Sequence, residues 1–196
     1  MQGTQIKFNL KILFTAILIT SLYIITPAPE LNIHTVRELC NYAHNFYGEI
    51  IYDKCIEYEF TSYEACEIMT AINSEAKFNR IAIRRRVKII TENSNTYTNY
   101  NGYDVGICQV YTGTALWICK VYKRWDLYER ARHIDNLCDA ELNIELCVML
   151  FRWGCDNYNM TPKQFYHTYY QTGRTNKFGD IERFNKFWNR NFKGKI

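Results

Sequence analysis

Apolar residues recur along this chain at the three- and four-residue spacings of amphipathic helices. Val36, Leu39, Cys40, Ala43, Phe46, Tyr47 and Ile50 form a first stripe. Ala65, Ile68, Met69 and Ile72 form a second, opened by Thr61 with Glu64 three residues on, the pattern of a capping box. Leu142, Leu146, Met149, Leu150 and Trp153 make a third, and Ile181, Phe184, Trp188 and Phe192 a last. The segment TPKQFYHTYYQTG predicts a further helix, with Thr161 as cap, Pro162 at the first helical position and Gly173 as its stop. Between residues 81 and 105 the pattern changes. IAIRRRVKIITENSNTYTNYNGYDV is rich in Ile, Val, Thr and Tyr, and Asn101-Gly102 reads as a hairpin turn. The expected fold class is α+β, mainly α: a helical domain interrupted by one small antiparallel β-hairpin element.

One residue breaks the second stripe. In NSEAKF, Glu75 falls three residues after Ile72 and seven after Ile68, on the apolar face. A carboxyl group there is partly desolvated, which disfavours its charged form and raises its pKa. Such a group can donate a proton to a leaving group near neutral pH. The plainer alternative is a helix-terminal Glu that bends out to water. Asp104 follows Asn101-Gly102, and a second carboxylate on the hairpin would face the end of the Glu75 helix. Two carboxyls flanking a cleft are the basic apparatus of glycoside cleavage. A turn-capping role is the alternative for Asp104. Gly106 then allows close approach of backbone to whatever fills the groove.

Composition adds the compartment. Lys7 and Lys11 precede an uncharged run from Ile12 to Ile25, followed by Pro27 and Pro29. A basic flank and a short apolar stretch are the layout of a secretory signal. The run is short for a membrane span of about 20 residues. Residues 1–29 are therefore expected to be a signal peptide or signal anchor, and residues 30–196 one exported domain. The destination is periplasmic or extracellular, with residues 12–25 as the only membrane attachment.

All eight cysteines lie beyond that run, with no C-x-x-C pair and no zinc-ligand spacing, so disulfides are expected and a metal is not. Eight cysteines allow roughly a hundred pairings. Removing the two leader lysines from the 24 basic residues leaves 22 against 20 acids, too mild a balance for nucleic acid. Arg84 to Arg86 is the one dense basic spot. His34, His44, His133 and His167 carry no assigned chemistry.

At these residues the chain resembles the lysozyme-like lytic transglycosylases, and among them the small exported type associated with secretion systems. The resemblance covers roughly residues 36 to 175. INSEAKFN is similar to the family block I-x-x-E-S-x-F-N, which implies Glu75 as the catalytic acid and brings Phe78 to the substrate side. NGYDVGICQV is similar to N-G-x-x-D-x-G-L-M-Q-I, implying Asp104, Gly106 and Gln109 in the cleft floor. NLCDAELNIELCVML resembles L-x-D-P-C-x-N-I and places Cys138 and Asn143-Ile144. YYQTG resembles the closing Y-N-x-G block, carrying the cleft tyrosine to Tyr170, with Gln171 beside it.

The resemblance implies a lysozyme-like domain that cleaves the bond between N-acetylmuramic acid and N-acetylglucosamine in peptidoglycan. It implies no cofactor, a bridge between Cys40 and Cys138, and a cell-envelope-spanning secretion apparatus as partner. Ala76 stands where Ser is usual, Cys108 where Met is, Gln171 where Asn is, and Cys147 where Gly is. Two other readings stay open: a muramidase hydrolysing the same bond, and an inactive lysozyme-like module that binds cell wall.

Overall fold

The structure, a computed structural model, describes residues 33–92, 95–171 and 181–196. The expected leader and the Gly173 helix stop lie outside them. The first apolar stripe folds as two helices, α1 (Ile33–Ala43) and α2 (Gly48–Glu57). The break has a local cause. The Tyr47 amide donates to Nδ1 of His44 at 3.2 Å, and the chain doubles back so tightly that a Cβ on Gly48 would sit 1.9 Å from the Cys40 carbonyl oxygen. Only glycine allows that return. Ion pairs from Arg37 to Glu49 and Asp53 then tie α1 to α2.

Helix α3 (Ser62–Ala76) opens with the expected capping box, Thr61 and Glu64 each bonding the other's backbone amide. Its residues Ala65 to Ile72 are all buried. Ile68, Met69 and Ile72 contribute about 2 kcal/mol each by leaving water. The helix stops abruptly: Lys77 and Phe78 both take left-handed backbone angles, φ 50 and 60. Phe78 secures the reversal by packing against His44, ring centroids 4.3 Å apart, and against Phe187. That stop leaves Glu75 on the last turn.

A three-stranded antiparallel sheet follows, β1 (Ile83–Glu92), β2 (Asn95–Val105) and β3 (Val110–Tyr111), in that order. β1 and β2 pair from Ile83 with Val105 to Glu92 with Asn95, so the hairpin does not reverse at Asn101-Gly102. The expected turn is instead a bulge inside β2. Arg85 pairs with Tyr103 and Val87 with Tyr100, which sets Asn101 and Gly102 opposite Arg86 alone. Gly102 has φ 113, and a Cβ there would meet the Tyr111 ring at 2.7 Å. A bulge and a primed turn both want positive φ, which is why one dipeptide serves either.

Helices α4 (Thr112–Val121) and α5 (Trp125–Ala131) and a 3-10 turn at Ile134–Cys138 fill a region where periodicity predicted nothing. Helix α6 (Ala140–Tyr158), capped by Asp139, is the centre of the molecule. Every residue from Leu142 to Phe151 is buried, so its stripe marks only part of a helix enclosed all round. Helix α7 (Pro162–Phe165) begins with the expected Thr161 cap and widens into a π turn at Tyr166–Tyr170. Helix α8 (Glu182–Asn191) packs against α3. The chain is mainly helical with one small antiparallel sheet. Among the described residues no helix is long and apolar enough to cross a membrane.

Candidate active site around Glu75

Glu75 sits half-buried on the last turn of α3. The phenol of Tyr166 donates a hydrogen bond to its carboxyl group. Tyr166 is 1% exposed and is also bonded by the side chains of Gln171 and Ser74. Burial, and then the charge of Glu75, push the Tyr166 pKa well up, so the hydroxyl stays a donor. Asp104, 7% exposed on β2, brings a second carboxylate near Glu75.

The Glu75 pKa is raised. Burial is the chief cause, and the Asp104 charge adds to it; the Tyr166 hydrogen bond and the Arg84 and Arg183 guanidinium groups pull the other way. The arrangement is a carboxyl with a raised pKa, a second acidic side chain near it and a phenol against it.

Glu67 and Glu145 are more deeply buried acids, and their partners show structural roles. Glu67 accepts the Lys163 amide at 3.2 Å, at the start of α7. Glu145 is matched by Arg124 at 2.7 Å and Lys54 at 3.3 Å. Burial raises the Glu67 pKa too, with Glu64 adding to it, but the Lys163 amide and charge oppose both.

Gly106, Gln109 and Asn143 build the turn that follows Asp104. Gly106 has φ 78, and a Cβ on it would come within 2.5 Å of the Leu137 carbonyl oxygen and 2.6 Å of Asn143 Cγ. Asn143, buried on α6, accepts the Cys108 amide at 2.8 Å and donates to the Val105 carbonyl at 2.9 Å. Gln109 Nε2 donates to the Ala82 and Gly106 carbonyls, both at 3.0 Å. Sequence matching brought Gly106 and Gln109 to a cleft floor; the contacts they make here hold the turn after β2 together.

Tyr170 packs behind the same turn. Its hydroxyl donates to the Cys108 carbonyl at 2.6 Å and lies 3.7 Å from Cys147 Sγ. It is within electrostatic reach of Glu75, but the hydroxyl on the carboxyl belongs to Tyr166. Tyr166 went unnoticed in the sequence because the motif selects the tyrosine one turn later. Gln171 reaches the site through Tyr166. Phe78, 7% exposed, packs inward and anchors the helix stop.

All eight cysteines are thiols here. The expected Cys40–Cys138 bridge is not formed: Cys40 Sγ faces Cys66 Sγ at 3.8 Å, because α1 packs on α3. Cys108 and Cys147 form a second contact, within reach of the Glu75 charge. Among the described residues no three His, Cys, Asp or Glu side chains converge to hold a metal ion. No protein-family model matches the chain, and no curated protein or solved structure is similar enough to it to mark a relationship.

Proposed function

We propose that this protein cleaves peptidoglycan glycan strands as a lytic transglycosylase, in a lysozyme-like arrangement with Glu75 as its single acid and base. The observation that carries the reading is the raised pKa of the Glu75 carboxyl, produced by burial with Asp104 alongside. The ordered motifs from INSEAKFN to YYQTG name the substrate.

Glu75 gives its proton to the oxygen linking N-acetylmuramic acid to N-acetylglucosamine, and the C1–O bond breaks. The positive charge developing at C1 is opposed by the Asp104 carboxylate or by the sugar's own acetamido group. Glu75 is now a carboxylate, stabilised by the Tyr166 hydrogen bond. It takes the proton of the muramyl 6-hydroxyl as that oxygen closes on C1, giving a 1,6-anhydro sugar and restoring the acid. Tyr166 therefore supports the charged form, which exists only between the two steps. The work is done in an exported setting, on the cell envelope.

Hydrolysis is the second reading, and buried Asp104 beside Glu75 is the observation that favours it. In that case Glu75 activates water in place of the 6-hydroxyl. Mass spectrometry of purified peptidoglycan after digestion separates the outcomes. Anhydro-ended fragments from wild type and none from Glu75→Gln are expected. Reducing ends would select hydrolysis, and the absence of any fragment from wild type would overturn both.

A further inference from the structure

A groove of about 930 Å3 opens between the end of α1, the last turn of α3 and helix α8. Its α3-side lining comes from Asn73, Ser74 and Lys77. Glu75 is not among its lining residues, although Arg183, which is, lies within reach of the Glu75 charge. Its charge is one-sided. Lys77, Arg183, Lys186, Arg190 and Lys195 line it against one carboxylate, Glu182.

The cations are arranged in a row. Arg183, Lys186 and Arg190 are spaced i, i+3, i+7 on α8 and so share a face over about 10 Å. Asn73 and Asn191 add side-chain amides, which can donate and accept at once. Tyr42, 81% exposed, and Phe187 supply aromatic surface along the same wall. A volume of this size is that of a ligand pocket.

We propose that the groove binds an extended peptide segment carrying carboxylates. Residues of one face of an extended strand repeat at about 6 to 7 Å; the α8 row steps by about 4.5 and 6 Å, and the long flexible arginine and lysine side chains span the difference, so successive acidic side chains can meet successive cations. The asparagine amides suit a peptide backbone. Nucleic acid fits less well, since the chain as a whole has a net charge of only +4. The row of cations lies on α8, outside the family-like blocks, and its binding of a peptide does not depend on whether Glu75 cleaves glycan.

Fluorescence anisotropy with the full chain tests it without any turnover. The probes are a labelled peptide of alternating Glu and Ser, the matching Lys and Ser peptide, and a single-stranded oligonucleotide of the same length. Saturable binding of the acidic peptide alone is expected, weakening with salt. The double variant K186E/R190E, with an unchanged melting temperature, should weaken it about tenfold. If that variant does not fold, K186Q/R190Q carries the same test with about a threefold loss. No saturable binding, an affinity indifferent to these substitutions, or tighter binding of the oligonucleotide would each overturn the proposal.

Discussion

Tyr166→Phe removes one hydroxyl from a buried ring and leaves the ring's packing in place. That hydroxyl donates to the Glu75 carboxyl, and a donor favours the charged form. Losing it must therefore raise the Glu75 pKa further. A hydrogen bond to a charged group contributes about 1.5 to 3 kcal/mol, and one pKa unit corresponds to about 1.4 kcal/mol. Glu75 is only half-buried, and water will replace part of the lost bond, so a rise of about one unit is expected.

The acid form begins the reaction. The alkaline limb of kcat/KM for peptidoglycan should therefore move up by about one pH unit. The plateau should fall, because the carboxylate formed in mid-reaction has lost its partner. Gln171 and Ser74 lose one too, at about 1 to 3 kcal/mol and a melting temperature several degrees lower. The control is Tyr170→Phe, which breaks the bond to the Cys108 carbonyl. It should lower the melting temperature and leave the limb where it was. A limb that stays put in Tyr166→Phe, or moves down, refutes the reasoning.

The sulfur contacts predict the pairing in oxidised protein. On exchange with glutathione disulfide, which is reduced to two thiols for each bridge formed, peptide mapping without reductant should find Cys40 joined to Cys66 and Cys108 to Cys147; a Cys40–Cys138 peptide would contradict it. Gly106→Ala meets both a left-handed backbone and the Leu137 and Asn143 atoms. It should cost roughly 2 to 4 kcal/mol in chemical denaturation, and a loss under about 1 kcal/mol would show that this turn is softer than described.

Local signals in the sequence carried the helices well and the pairing of elements poorly. Thr61 with Glu64 and Thr161 with Pro162 are caps that depend on four consecutive residues, so both could be read directly. Glu75 could be read as well, because a carboxyl breaking an apolar stripe is a local anomaly. The Asn101-Gly102 turn failed because positive φ is a property of one residue, whereas the place where two strands reverse depends on their register. The single first stripe failed for a related reason. Its period continues across residues 44–47, and only the approach of Gly48 to Cys40 shows the chain turning there. Tyr166 was hidden by a π turn, which changes the side facing Glu75 without leaving a mark in residue spacing. The Cys40–Cys66 contact depends on how two helices pack, which no spacing encodes.

A titration of the position-75 carboxyl tests the central claim without involving substrate. Carbon-13 resonances of labelled glutamate side chains, assigned by comparison with Glu75→Gln, give its midpoint directly. The account predicts a midpoint clearly above the ordinary glutamate value of about 4.3. A midpoint at or below that value would mean that Glu75 is an ordinary surface carboxylate, with no proton to give.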